Sequence, residues 1–368
     1  MPYCSHSANC HQVRADCKNM GIPPPLHLDD RRRQCLLGMA ALAGTALAPT
    51  IGATEPVPPA SVTGTPVTRP HQQAELPPEQ IQHERVSSFL LESSRHPGEP
   101  WRIHLARPVD ASHTQGYSIV YLLDGNASFP LAWHALQSLQ THLPSARQLV
   151  LVGIGYPAHV RFDVQRRFYD FTPPTAEEHL RGRKDTRTGG QDAFLDFIEH
   201  DLRPAIGQHL AIHPQRQALF GHSLGGLLTL HALYTRPHLF QIWIAADPST
   251  WWNGQSIHQE HTAFLAGVHA AGNRFQNPAK LLLQRSSESG RGTKQPERIA
   301  ATPHDSRRTE ILNNALELAR IEGLEVFYQH FAHESHPSML APAIKDGLSL
   351  LLGATPAALQ RIEPQGIG

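Results

Sequence analysis

The sequence predicts a single α/β domain with a mostly parallel central sheet and helices on both faces, placed after an N-terminal presequence and a linker. Two observations carry this. From Ile81 onward, short apolar runs alternate with stretches of helical spacing and no internal repeat appears, the pattern of strands joined by crossover helices. Runs such as Tyr117–Leu123 and Gln148–Ile154 are apolar over most of their length, as expected of strands covered on both faces.

Taken in order, Arg85–Glu92 and Trp101–Ala106 read as antiparallel opening strands. Tyr117–Leu123 is a buried strand ending in Asp124-Gly125-Asn126, which is turn chemistry, and Phe129–His142 has helical spacing. Gln148–Ile154 is the next strand. A polar excursion from Ala158 to Gly190 follows, and then a helix over Ala193–Leu210. Gln217–Phe220 (strand), Leu224–Tyr234 (helix) and Gln241–Ala246 (strand) form one tight succession. Lys280–Gln284 and Glu325–His330 are two further strands, separated by the helix Ser306–Ile321. A last helix, Ala341–Leu352, tolerates Pro342 in its first turn, where a missing N–H costs nothing.

Bulk properties remove several function classes. The 368 residues carry 32 Lys plus Arg against 32 Asp plus Glu, so no net charge recruits nucleic acid or an acidic membrane. The 25 histidines are scattered rather than set at ligand spacings, which argues against a metal site. All four cysteines (Cys4, Cys10, Cys17 and Cys35) precede residue 36, so the rest of the chain has no disulfide and no thiol nucleophile.

Arg31-Arg32-Arg33 followed by the apolar stretch Gly38–Ala48 has the form of a twin-arginine-like export signal, with Ile51-Gly52-Ala53 as the preferred cleavage site. The apolar stretch is about eleven residues, too short for the roughly 20 that span a bilayer. The expected organisation is therefore a presequence over 1–53, a flexible linker over 54–79, a catalytic domain over 80–355 and a tail over 356–368. The location implied is exported and periplasmic, with no stable membrane insertion once the signal is removed.

Between the strand Gln217–Phe220 and the helix Leu224–Tyr234 lies Gly221-His222-Ser223-Leu224-Gly225. Gly-x-Ser-x-Gly in that setting is the nucleophile elbow of an α/β-hydrolase fold: small residues permit a tight turn, and the serine projects from the top of the sheet. Ser223 is thus the candidate nucleophile. A serine hydroxyl needs a base. His336, at a loop-to-helix junction after the last strand, is the candidate, with His333 as runner-up and His330 read as part of the strand. The acid that orients the base is expected just past Lys280–Gln284, at Glu288, with Asp247 as the competitor. Oxyanion donors are expected from the N–H of Leu224 and from Asn126 or its neighbour.

Six segments in order resemble the putative-esterase (esterase D) family of α/β-hydrolases, which includes siderophore trilactone esterases of the enterobactin and bacillibactin type. They are Tyr121–Asn126, Arg167–Pro173, Gly189-Gly190 before Phe194–Phe197, Gly221–Gly226, Asp247–Trp252 and Ser335–Ser338. The resemblance implies a carboxylic ester hydrolase without cofactor, acting on a small-molecule ester through an acyl-enzyme, with siderophore trilactones as the sharpest version. It also implies that Arg166 or Arg167 faces the acyl side, unless Arg167 instead pairs with Asp170. Trp251 and Trp252 would wall the acyl pocket or seal the core beneath it. The charged segment Arg181–Thr188 departs from the family pattern and reads as a lid or an insertion. Ser286-Ser287, where the family often has a glycine-containing turn, is a second departure. An acyltransferase of the same fold, passing the acyl group to an alcohol or sugar, and a non-catalytic binding module are the alternatives.

Overall fold

Alternation along the central strands divides the apolar side chains between two cores. Ile119, Tyr121 and Leu123 face one cluster, while Val120 and Leu122 face the other. The same alternation recurs at Trp243 and Ala245 against Ile244 and Ala246, and at Leu281 and Leu283 against Leu282. A strand with two apolar faces needs cover on both sides, and helices supply it.

The computed structural model describes residues 75–110, 115–288 and 303–364. The export signal and nearly all of the linker expected from the sequence lie outside the described residues. Nine strands form one sheet in the order β1-β2-β4-β3-β5-β6-β7-β8-β9. They are β1 (Val86–Leu91), β2 (Trp101–Ala106), β3 (Tyr117–Leu123), β4 (Leu149–Gly155), β5 (Ile212–His222), β6 (Ile242–Ala246), β7 (Arg274–Glu288), β8 (Glu322–Ser335) and β9 (Gln360–Ile362). The pairings from β4 through β8 are parallel; β1–β2, β2–β4 and β8–β9 are antiparallel. The described helices are α1 (Gly125–Leu139), α2 (Val164–Phe171), α3 (Gln191–Phe197), α4 (Arg203–Gly207), α5 (Leu224–Thr235), α6 (Ile257–Ala270), α7 (Pro303–Leu318) and α8 (Leu340–Leu351). The α1 and α8 side chains fill one core, and those of α3 and α5 the other.

The expected fold class is the observed one, and β1, β2 and β3 fall where the sequence places them. Four differences bear on the site. Helix α1 starts at Gly125, directly after β3, because the reversal needs only one residue: Asp124 at φ 52°. Gly125 must be glycine there, since a Cβ would lie 2.6 Å from the Gly153 carbonyl carbon. Helix α2 lies within the stretch read as a polar excursion, capped by the Asp163 carboxylate, which accepts from the Arg166 N–H at 3.0 Å. Strands β7 and β8 run past their apolar centres and stay paired as far as Glu288 opposite Ser335. Finally, Gln360–Ile362 in the expected tail pairs with Val326–Tyr328 as an edge strand.

Candidate active site

The elbow is a backbone device before it is a chemical one. Ser223 has φ 61° and ψ −118°, a conformation that side chains other than glycine rarely adopt. The turn is held by two backbone bonds: the Ser223 N–H donates to the Ala246 carbonyl at 3.0 Å, and the Ser249 N–H donates to the Ser223 carbonyl at 3.0 Å. Gly221 is obligatory, because a Cβ there would sit 2.1 Å from the Gly225 carbonyl oxygen. At Gly226 a Cβ would press to 3.0 Å on Ala246 O and Pro248 Cα, so this glycine sets how closely α5 approaches the sheet. Gly225 has ordinary space around it, nearest neighbours being at 3.4 Å. Of the two motif glycines, the structure therefore requires the first.

Strands β5, β6, β7 and β8 are parallel, and the register that sets His222 beside Ala246 and Ala246 beside Gln284 brings Ser223, Asp247 and the extensions of β7 and β8 to one rim. Asp247 follows β6 at φ 43°. Its N–H donates to Gln284 O at 2.7 Å, and its carboxylate is turned toward β7 and His336. His336 Nδ1 lies 2.6 Å from Asp247 Oδ2, Ser286 Oγ donates to the same oxygen at 2.5 Å, and Arg285 pairs with Oδ1. Burial works to lift this carboxyl, but the His336 hydrogen bond and the Arg285 charge outweigh it and pull it down to about 2. His336 is thus presented with an ionised partner, its ring still partly open to solvent.

The sequence expectation for this partner was Glu288. The side chain against His336 is Asp247, the competitor named from the sequence. Glu288 belongs to β7 and pairs through its backbone register with Ser335, so the segment after Gln284 is strand, not the loop an acid there would need. His333, the runner-up base, is exposed on β8.

His222 completes the rim. Its ring centre is 4.4 Å from that of His336. Burial, reinforced by the neighbouring His336, pushes its imidazole down to about 3, so it packs as a neutral ring. One hydroxyl was not singled out from the sequence: Ser249 Oγ lies 3.3 Å from Ser223 Oγ. Ser249 sits two residues after Asp247 in a segment whose aspartate and tryptophans drew the attention, and only the fold of that turn brings it to the elbow.

The oxyanion candidates separate by atom. Leu224 opens α5 directly after Ser223, so its N–H belongs to the first turn, where backbone donors lack intrahelical acceptors. Asn126 is the second residue of α1, and its side chain is fully engaged elsewhere. Nδ2 donates to the carbonyls of Tyr156, Ala158 and Val160 at 3.0–3.1 Å, and Oδ1 accepts from the Tyr156 N–H at 3.3 Å. The side chain fastens the loop after β4, which leaves the backbone N–H as the group that can donate.

Arg167 is clamped to Asp124 rather than Asp170, through Nε and Nη2 to the two carboxylate oxygens, each at 2.9 Å. Burial alone would lower its pKa; the Asp124 carboxylate more than offsets this and holds the guanidinium charged. Arg166 approaches Asp170 instead, at 4.0 Å, because those two are one helical turn apart on α2 while Arg167 faces the sheet end. Of the two tryptophans, Trp252 seals the interior: it is 1% exposed, contacts Phe168 at 5.2 Å between ring centres and donates its indole N–H to Thr175 Oγ1 at 2.9 Å. Trp251 is only partly buried and is the one that can line a pocket. An apolar cavity of about 560 Å³ lined by Tyr234, Phe264 and Phe275 opens at the opposite, N-terminal ends of β6 and β7 and contains none of these residues.

A serine on a strained elbow, an imidazole anchored to an ionised carboxylate, and helix N-termini on either side can together carry out acyl transfer. Comparison with known proteins points the same way. Residues 94–318 match the model of the Putative esterase family. The chain is 34% identical over 278 residues to the siderophore enterobactin esterase of Emericella nidulans, covering 68% of this chain and 89% of that protein. It is 38% identical over 180 residues to the ferri-bacillibactin esterase BesA of Bacillus subtilis, covering 47% of this chain and 62% of that protein. The solved siderophore hydrolase EstA of Aspergillus nidulans superposes with a TM-score of 0.60 at 31% identity, over 75% of this chain and 97% of that one. The chain belongs to the Putative esterase family of α/β-hydrolases and is an ester hydrolase.

Proposed function

We propose that the chain hydrolyses siderophore-type esters through an acyl-enzyme on Ser223, with His336 as general base and Asp247 as the orienting acid. The observation that supports this reading most is the 2.6 Å contact between His336 Nδ1 and the buried, ionised Asp247, at the rim that also holds the Ser223 elbow. The siderophore part of the reading rests on the named relatives.

In this mechanism Ser223 Oγ attacks the ester carbonyl carbon as His336 Nε2 takes the hydroxyl proton. The Nδ1–H stays donated to Asp247, which stabilises the imidazolium without itself accepting the proton. Charge that develops on the carbonyl oxygen is met by the backbone N–H of Leu224 and that of Asn126. When the C–O bond to the leaving alcohol breaks, His336 returns the proton to that oxygen. Water then attacks the acyl-enzyme with His336 again as base, releasing the acid and restoring Ser223. Because the relatives are named esterases and hydrolases, water rather than a sugar or alcohol is the acceptor in this reading. Ser249 acts as a positioning group, its hydroxyl holding that of Ser223, and Trp251 with the Arg167–Asp124 pair borders the acyl side.

Ser223→Ala should lower turnover of a short p-nitrophenyl ester and of a catecholate trilactone by about ten-thousand-fold or more. Undiminished turnover in that variant would exclude Ser223 as the nucleophile. Loss of trilactone hydrolysis in the wild type, with the simple ester still cleaved, would remove the siderophore assignment alone.

A further inference from the structure

The segment between α2 and α3 carries an arginine-rich stretch that the catalytic reading leaves unused. Residues 181–188 contain Arg181, Arg183, Lys184 and Arg187 against one acid, Asp185, and all three arginines are exposed. Each guanidinium lies over an aromatic ring: Arg181 over Trp251 at 4.2 Å, Arg183 over Phe168 at 5.5 Å and Arg187 over Tyr169 at 4.4 Å.

Those rings belong to the two segments that build the site. Trp251 lies two residues after Ser249, whose hydroxyl is 3.3 Å from that of Ser223. Phe168 and Tyr169 directly follow Arg167, which grips Asp124 at the start of α1. The segment is also pinned in place. Gly189 N–H donates to Thr172 O at 3.0 Å, Arg183 N–H to Leu180 O at 3.1 Å, and the His179 ring lies against Gly254, where a Cβ would meet it at 3.0 Å.

Charge balance is what makes this rim unusual. Lys184 is paired with Glu177 at 3.3 Å, but among the described residues Arg183 and Arg187 have no carboxylate partner. Fastening a loop onto aromatic rings needs only apolar contact, and gathering like charges for that purpose adds repulsion. A stacked guanidinium, by contrast, keeps its planar edge of N–H donors available to oxygen ligands.

We infer that this arginine rim receives a polyanionic ester, and that the enzyme therefore takes the metal-loaded form of a catecholate-type substrate in preference to the metal-free form. The inference rests on the siderophore reading of the site. A free catechol keeps its phenolic protons near neutral pH, as phenols with pKa near 10 do. A trivalent metal displaces those protons, and the phenolate charges then outnumber the metal's, so the chelate is an anion. An electropositive rim steers such an anion to the site, and salt screens the attraction.

The test uses the full chain with three substrates: a gallium(III)-loaded catecholate trilactone, the same trilactone without metal, and p-nitrophenyl acetate. Two triple variants are compared, one with Arg181→Gln, Arg183→Gln and Arg187→Gln, the other with lysine at the same positions. The wild type should show the higher kcat/KM on the loaded trilactone, falling as salt is raised. The glutamine variant should lose about tenfold or more on the loaded form and less than about twofold on the other two substrates, with the lysine variant, which keeps the charge, retaining most of the wild-type rate on the loaded form. Equal slowing on all three substrates by the glutamine variant would make the arginines loop fasteners and overturn the inference. So would a wild type that prefers the metal-free trilactone. Cleavage of p-nitrophenyl acetate with neither trilactone attacked would overturn this inference and the siderophore reading together, leaving the ester hydrolase intact.

Discussion

Asp247 and Asp170 are both aspartates withdrawn from solvent, with side chains 2% and 3% exposed, yet one titrates at about 2 and the other at about 6. Burial pushes both upward, so the difference lies in what each carboxylate receives. Asp247 accepts from Arg285, from Ser286 Oγ at 2.5 Å and from His336 at 2.6 Å. Asp170 accepts from the Trp101 indole at 2.8 Å, but its only nearby described cation, Arg166, stands 4.0 Å away. Arg166 is shared with the Glu99 carboxylate at 3.2 Å and with the Glu99 and Pro100 carbonyls. One site is built to keep a buried negative charge beside an imidazole. The other leaves its carboxyl near the boundary of protonation. The lesson is that burial marks neither aspartate as functional; the set of donors does.

The largest effect that breaks this comparison is expected from Asp247→Asn. Without the carboxylate the imidazole loses its oriented tautomer and the partner of its charged form, so kcat on a simple ester should fall by about ten-thousand-fold. Glu288→Gln, the substitution the sequence alone would favour, should change kcat by less than about twofold. Steady-state assays of the two purified variants decide between the carboxylates, and the reverse pattern would return the acid to Glu288.

A smaller effect sharpens the comparison through stability. Asp247 has its folded pKa below its unfolded value of 3.8, so its contribution is present above about 4 and is lost as pH falls toward 2. Asp170 has its folded pKa raised, so its contribution is present below 3.8 and is lost as pH rises through about 6. Urea midpoints measured from pH 2 to 7 should therefore move in opposite senses. The advantage of wild type over Asp247→Asn should shrink on acidification from pH 4 to 2, whereas Asp170→Asn should gain on wild type between pH 4 and 6. Parallel curves for Asp170→Asn and wild type across that interval would show that the Trp101 and Arg166 contacts cancel the burial.

How much of this was legible in the sequence follows from the range over which each feature is determined. The elbow is local: Gly221 is required by an atom only four residues away, Gly225 O, so the motif and its neighbours carry the information. The first three strands are likewise set by their own apolar runs and turns. The choice between Glu288 and Asp247 was not legible, because Asp247 and His336 are 89 residues apart and meet only through the parallel register of β6, β7 and β8. Helix α2 was hidden by its polarity, since Arg166 and Arg167 find their partners on β2's approach and at the end of β3, outside the helix itself. Trp251 and Trp252 are adjacent and chemically identical, so only packing separates the sealed ring from the partly buried one.

The central claim, that Ser223 is the hydroxyl activated at this rim, is tested most directly by covalent labelling with a fluorophosphonate followed by peptide mass spectrometry. Ser249 Oγ, 3.3 Å away, is the natural competitor. The account predicts one adduct, on the peptide bearing Ser223, that is absent in Ser223→Ala, persists in Ser249→Ala and forms far more slowly in Asp247→Asn. An adduct on Ser249, or labelling undiminished in Ser223→Ala, would contradict it.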